Sequence, residues 1–237
     1  VLMNSEVVLI SGANRGIGLA LTEQYLINGC SVIATCRNTT TATELMSLKA
    51  QFADKLLIES LDITNSESIQ RLANNLSQQN ISLDLIVNNA GFLDRDNHSI
   101  HAIDYADAEM CFKVNALGPL FLTHCLINLL NKTRLCKIVI ISSSKGALSQ
   151  AQGVDWYGYR MSKAAANMLT VNLATELVND NVAVVSVHPG WVQTDMGGSS
   201  ASVSVNDSAL GIIKVINNLS IHNTGQFYDV SGEQLPF

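Results

Sequence analysis

Short runs of β-branched and aliphatic residues recur along the chain, separated by stretches whose apolar positions return at helical spacing. The runs predict strands over 6–11, 31–36, 56–60, 83–88, 137–142, 182–188 and about 226–229. The stretches between them predict helices over 16–28, 41–52, 66–78, 105–130, 157–178 and 207–219. Strands such as Val7-Val8-Leu9-Ile10 and Ile138-Val139-Ile140-Ile141 are continuous apolar runs, the pattern expected when helices cover both faces of a sheet. Strand and helix alternate from end to end, which predicts an α/β fold built on a doubly wound parallel sheet. No internal repeat, low-complexity tract or linker divides the sequence, so residues 1–237 are expected to form a single domain.

Two helices are apolar on more than one face. One carries Ala116-Leu117-Gly118-Pro119-Leu120-Phe121-Leu122, and the other runs from Met161 to Leu173 through Ala164-Ala165-Ala166. A helix lying on a sheet needs one apolar stripe, so a second stripe calls for another partner. That partner is either a second copy of the chain, giving a homo-oligomer (dimer or tetramer), or covering loops.

Composition narrows the function. A hydrophobic content of 47% with 14% charged residues describes a globular protein, and a net charge of −6 argues against a nucleic-acid surface. Cys30, Cys36, Cys111, Cys125 and Cys136 are odd in number and form no Cys-x-x-Cys pair, which suits free thiols in a reducing compartment. His98 and His101 have no third ligand at metal-binding spacing, so a surface loop is expected there and no metal site. The start of the sequence has neither a basic nor a long apolar region, and the apolar stretch 116–142 is broken by Asn128, Asn131, Lys132, Arg134 and Lys137. No membrane span is expected, and the cytoplasm is the expected location.

Three local patterns carry chemistry. Gly12-Ala13-Asn14-Arg15-Gly16-Ile17-Gly18 follows the first strand and opens a helix. Glycines there let the backbone turn sharply and approach a pyrophosphate, whose charge a helix N-terminus favours. The second strand ends Ala34-Thr35-Cys36-Arg37-Asn38 without the carboxylate that would select a free ribose 2′-hydroxyl. Arg15 and Arg37 could instead pair with a 2′-phosphate, which favours NADP(H); the alternative leaves Arg37 solvated. Tyr159 and Lys163, four residues apart, share one helix face. A tyrosine titrates near ~10, and a neighbouring ammonium lowers that value towards the range useful for proton transfer. On spacing alone the pair could also be accidental.

Gly12-x-x-x-Gly16-x-Gly18, Asn88-Asn89-Ala90-Gly91, Ser142-Ser143-Ser144, Tyr159-x-x-x-Lys163 and Pro189-Gly190 follow one another in the order typical of short-chain dehydrogenases/reductases. The sequence resembles the single-domain branch of that family over essentially its whole length. The ending Thr224-Gly225-Gln226-Phe227-Tyr228-Asp229 and Gly232-Glu233-Gln234-Leu235-Pro236-Phe237 is similar to sniffer-type carbonyl reductases and C-factor proteins. The resemblance implies a Rossmann fold with a seven-stranded parallel sheet in the order 3-2-1-4-5-6-7.

It further implies roles for residues. Tyr159 would be the general acid that protonates a carbonyl oxygen, and Lys163 would hold the nicotinamide ribose and lower the tyrosine pKa. Ser143, with Ser144 as the alternate, would hydrogen-bond the substrate oxygen. Asn115 would hold a water linking Lys163 to solvent, or else merely satisfy helix backbone near Pro119, which is expected to kink or break that helix. Gly12, Asn14, Arg15, Gly16, Ile17, Gly18 and Arg37 would bind the cofactor. So would Asp62 and Ile63 at the adenine, Asn89, Ala90 and Gly91 at the adenosine ribose, and Pro189, Gly190, Val192 and Thr194 near the nicotinamide. Asp62 could equally cap the helix beginning near Ser66. Phe92, Leu148, Trp156, Trp191 and Met196 fall where such proteins line a pocket, or are ordinary packing. The small polar segment 197–204 is expected to be a mobile lid. The implied activity is NADPH-dependent reduction of an aldehyde or ketone. Its alternatives are an NADP-dependent alcohol dehydrogenase working in oxidation and an NADP(H)-binding signalling protein with incidental turnover.

Overall fold

A computed structural model describes residues 6–94, 99–149 and 155–237. Strand β1 (Val7–Ser11) passes through the glycine turn into α1 (Gly16–Ile27), followed by β2 (Ser31–Cys36), α2 (Thr43–Phe52), β3 (Leu56–Ser60), α3 (Ser66–Gln78) and β4 (Leu85–Asn88). Next come α4 (Tyr105–Phe112), α5 (Gly118–Leu126), β5 (Cys136–Ile141), α6 (Tyr157–Leu177) and β6 (Val182–His188). The chain ends with α7 (Val205–Asn217), β7 (Gln226–Asp229) and β8 (Gln234–Leu235). All strands join one sheet in the order β3-β2-β1-β4-β5-β6-β7-β8. The strand order reverses between β1 and β4, which opens a crevice at the carboxyl ends of the strands.

The continuous apolar strands are explained by burial on both sides. Val8 and Ile10 of β1 pack with Leu21 of α1, Leu45 of α2 and Ile212 of α7. Leu9, between them, points to the opposite face and packs with Leu72 of α3 and Leu122 of α5. Each face contributes an independent core, so a polar substitution at any of these positions would strand a group without a partner.

The structure departs from the sequence expectations in two places. The sheet has an eighth strand, antiparallel to β7 and only two residues long, too short to leave a periodic signal. It forms because Asp229 Oδ1 accepts from the N–H groups of Ser231 (2.8 Å) and Glu233 (3.0 Å), while Gly232 takes a φ of +92°. The helix expected over 105–130 is interrupted by a wide π-turn, Lys113–Leu117, and ends at Leu126 before a short 3₁₀ turn. Pro119 is the cause: it has no N–H for the Asn115 carbonyl, and its ring would crowd an ordinary α-turn. The axis continues as α5 without breaking.

This helical stretch, Tyr105–Leu129, is long and apolar enough to cross a membrane by length and composition. Cys111, Ala116, Leu122 and Leu126 are nevertheless buried within the protein, as in a core helix. Leu117, Leu120, Met161 and Met168 along the same helices and α6 are exposed.

Candidate active site

Backbone geometry builds one wall of the crevice. Gly12 and Gly16 have φ of +66° and +53°, the left-handed region in which L side chains are strained. A Cβ on Gly18 would lie 2.3 Å from the Gly12 carbonyl and 2.5 Å from Asn89 Nδ2. Asn89 stitches the turn to β4: its Nδ2 donates to the carbonyls of Ser11 (2.9 Å) and Gly12 (3.0 Å). The N–H groups of Asn89 and Ala90 donate to Ser11 Oγ at 3.0 and 3.1 Å. Gly91 follows at the rim, and Asn14 and Ile17 are half-buried on the turn. No side chain caps α1 and no acidic residue lies in its first turn. Its N-terminus therefore offers N–H groups and a favourable dipole to an anion.

Arg37 stands exposed at the end of β2. Nearby Asp62 accepts from Thr64 N (2.9 Å) and Thr64 Oγ1 (2.7 Å). The Thr64 hydroxyl, helped by the Arg37 charge, holds the Asp62 carboxyl below its ordinary value. The helix that Asp62 might have capped is capped by Asn65, whose Oδ1 accepts from Ser68 N at 3.0 Å. Ile63 is buried, and a Cβ on Gly118 would come within 2.5 Å of its Cγ1.

The opposite wall is built from side chains. The three serines after β5 have different partners. Ser142 Oγ donates to Asn167 Oδ1 at 2.6 Å, and Asn167 Nδ2 donates to the Gly146 carbonyl at 3.3 Å, clamping α6 to the strand end. Ser144 Oγ lies 3.4 Å from His188 Nε2. Ser143 Oγ accepts from Lys145 N at 3.1 Å, and of the three serines it is the one whose hydroxyl favours ionisation of the Tyr159 phenol. Lys163 is buried, donates from Nζ to the Ile141 carbonyl at 2.8 Å, and has its Nζ 5.7 Å from the Tyr159 ring centre.

Burial dominates the electrostatics here. It pushes the Tyr159 phenol up to about 12 against the lowering effect of Ser143, and pulls the Lys163 ammonium down to about 8. The tyrosine shift is thus opposite to the one its lysine neighbour suggests from spacing. Desolvation sets the direction for both groups, and the lysine is itself reluctant to be charged.

Asn115 sits in the π-turn, 1% exposed. Its Oδ1 accepts from Phe92 N (2.9 Å), while Nδ2 donates to Phe92 O (2.8 Å) and Ser162 Oγ (2.9 Å). The side chain is therefore committed to holding Phe92 and α6 together. Its main-chain carbonyl loses the ordinary α-helical donor, because Pro119 has no N–H.

After β6, Gly190 takes a φ of +83° and the Pro189 carbonyl accepts from Ser208 Oγ at 2.7 Å. Val192 is buried. Segment 197–204, expected to be a mobile lid, is hydrogen-bonded to the residues that follow β6. Trp191 and Gln193 exchange main-chain bonds with Val203, Gln193 Nε2 donates to Ala201 O at 2.9 Å, and Trp191 Nε1 donates to Gly197 O at 2.8 Å. Its small polar composition gives no sign of these partners, which are set by three-dimensional proximity. Leu148 and Trp191 are 79% and 55% exposed, so packing does not account for them.

Two acids escaped the sequence reading. Asp94 is 1% exposed, its carboxylate oxygens have no hydrogen-bond partner among the described residues, and it lies against Gly158 at the start of α6. Asp195 Oδ2 accepts from Arg15 Nη1 at 2.6 Å, across the crevice. Its position directly after Thr194, in a segment expected at the cofactor, was the available signal. His98 lies outside the described residues.

The sequence model described as short chain dehydrogenase matches residues 6–204. The chain is 33% identical over 230 residues to 1-hydroxy-2-glutathionyl-2-methyl-3-butene dehydrogenase of Rhodococcus sp. (strain AD45), covering 95% of this chain and 96% of that protein. It is 37% identical over 155 residues to C-signal of Myxococcus xanthus, covering 65% and 93% respectively. Among solved structures, the NADPH-bound carbonyl reductase from chicken fatty liver superposes with a TM-score of 0.92 at 32% identity, covering 99% of this chain and 100% of that one. The carbonyl reductase Sniffer of D. melanogaster gives 0.92 at 29% identity, with the same coverage.

Proposed function

The chain belongs to the short chain dehydrogenase family, and we propose that within it the protein is an NADPH-dependent reductase of aldehydes or ketones. The observation that carries this reading is Lys163 buried beside the Tyr159 ring and bonded to the end of β5, with an uncapped helix N-terminus after the glycine turn. The glycine turn fits a dinucleotide: positive φ at Gly12 and Gly16 folds the turn tightly, and α1 opens behind it with N–H groups that no side chain caps. Gly12, Asn14, Gly16 and Ile17 would hold the pyrophosphate, and Arg15 and Arg37 the 2′-phosphate. Asp62 and Asn89-Ala90-Gly91 would lie along the adenosine. Pro189, Gly190, Val192 and Thr194 would lie at the nicotinamide, which when bound supplies the hydride.

Ser143 donates to the substrate oxygen as negative charge develops there. Tyr159 gives that oxygen its proton. A phenol raised to about 12 stays protonated throughout the neutral range, the form a general acid needs. Lys163, at about 8, is still mostly charged at pH 7 and can bind ribose hydroxyls. The Asn115 carbonyl is the candidate to hold a water that connects Lys163 to solvent. By microscopic reversibility the same groups serve alcohol oxidation.

The likeness to C-signal supports a second reading, a cofactor-binding signalling protein with incidental turnover. The exposed Leu117, Leu120, Met161 and Met168 support assembly into a dimer or tetramer, and the five free thiols suit the cytoplasm. The test is NADPH consumption with a panel of aldehydes and ketones. Tyr159→Phe is expected to lose about 10³-fold in turnover. Undiminished activity in that variant removes Tyr159 as the acid. No turnover across the panel, with tight NADPH binding, favours the signalling reading.

A further inference from the structure

Residues 194–196 reach across the mouth of the crevice from the β6 side to the β1–α1 side. Thr194 packs its Cγ2 against Gly16, 3.2 Å from where a Cβ would stand, and Met196 Cε lies 3.7 Å from a Cβ built on Gly91. Between them, the Asp195–Arg15 pair closes the span at 2.6 Å. The Asp195 side of this bridge is held in place. Thr194 N donates to Val192 O (2.8 Å), Gly198 N to Thr194 O (2.8 Å) and Gly197 N to Thr194 Oγ1 (3.1 Å). The Arg15 side is a long, flexible side chain on the residue that opens α1.

One guanidinium thus has two anionic claimants. We propose that Asp195 is a resident competitor for Arg15, and that this competition sets how fast a 2′-phosphorylated dinucleotide leaves the site. The inference rests on the reading of Arg15 as a 2′-phosphate partner given above. The Arg15 and Asp195 side chains are 68% and 75% exposed and share a single contact, so the pair is weak and screened by salt. A phosphate monoester carries more charge than a carboxylate and can take two guanidinium N–H groups at once. It therefore displaces Asp195 on binding. On departure, Asp195 takes Arg15 back and shortens the time in which the guanidinium can recapture the phosphate. A dinucleotide with a free 2′-hydroxyl makes no such demand, and Arg15 stays with Asp195 throughout.

The experiment compares dissociation rates and affinities of NADPH, NADP⁺ and NADH for the wild-type protein, Asp195→Asn, Arg15→Gln and the double variant, by stopped-flow fluorescence at low and high salt. Asp195→Asn keeps the shape of the side chain at an exposed position. It is expected to slow release of NADPH and NADP⁺ about three- to five-fold at low salt, less at high salt, and to leave NADH unchanged. In the Arg15→Gln background the same substitution is expected to have no effect. An equal change for NADPH and NADH would mean general charge repulsion and overturn the proposal, as would no change for any of them. If Arg15→Gln leaves NADPH affinity intact, it is the assignment of Arg15 to the 2′-phosphate that fails. If Arg15→Gln weakens NADPH while Asp195→Asn is silent, that assignment stands and the competition alone is wrong.

Discussion

On its β1–α1 side the crevice is lined by backbone, with glycines at positive φ, carbonyls bonded to Asn89, and an ion pair open to solvent. On its β5–α6 side it is lined by buried side chains whose proton affinities have been moved by desolvation, Tyr159 up and Lys163 down. The first wall works by shape and fails when an atom is added. The second works by electrostatic environment and fails when a polar group is removed. Salt should matter at the first and pH at the second.

The sharpest way to break the second wall is Ser143→Ala, expected to lower kcat by about 10²–10³-fold through loss of a donor to the developing oxyanion. Ser144→Ala, whose hydroxyl lies near His188 instead, should cost only a few-fold in the same assay. Equal losses would erase the distinction between the two serines. At the first wall, Gly18→Ala forces a methyl onto the Gly12 carbonyl and Asn89. It should cost about 2–3 kcal/mol, read as a fall in Tm of roughly 5–10 °C together with weakened NADPH binding. Unchanged stability would mean that the turn yields more easily than its contacts suggest.

Lys163→Met is predicted to stabilise the cofactor-free fold near pH 7 by about 1–2 kcal/mol, because charging a buried amine is costly and only part of that cost is offset by the bond to Ile141. The folded-state pKa is near 8 against an ordinary 10.5, so between those values the unfolded chain binds the extra proton. Wild-type stability from this group then rises with pH across the window, and the advantage of the methionine variant should shrink towards pH 10.5. A pH-independent difference would refute the depressed lysine. The smallest effect is expected at Arg37, exposed at the strand end. Arg37→Asp should narrow or reverse the larger thermal shift given by NADPH over NADH, a change on the order of 1 kcal/mol. Equal shifts with both cofactors in the wild type would sink the two-arginine argument.

The backbone wall was the more legible in the sequence. A glycine is forced by local geometry, so Gly12, Gly16 and Gly18 announce a turn wherever they occur after a strand. The apolar strands were legible for the same reason, since burial on both faces leaves only one kind of residue to use. Tyr159 and Lys163 were legible as a pair, but the direction of the tyrosine shift was not. Desolvation depends on everything packed around the phenol, and spacing carries no information about it. Asn115 was found, but its side chain binds Phe92 across the fold, and the wide turn it sits in depends on how the chain absorbs Pro119. Asp94 and Asp195 were missed because an isolated acid acquires meaning only from neighbours distant in sequence, Gly158 for one and Arg15 for the other. The two-residue β8 was invisible because its pairing rests on a turn held by Asp229 and not on any pattern of its own.

The clamp of Ser142 and Asn167 has an evolutionary consequence. It fixes α6, and with it Tyr159 and Lys163, to the end of β5 through bonds that never involve the rim residues Leu148 and Trp191. Those two stand exposed on connecting segments and can be exchanged without touching the bonds of that clamp. A lineage carrying this fold can therefore rewrite its rim freely, while the junction of strand and helix behind it is inherited unchanged.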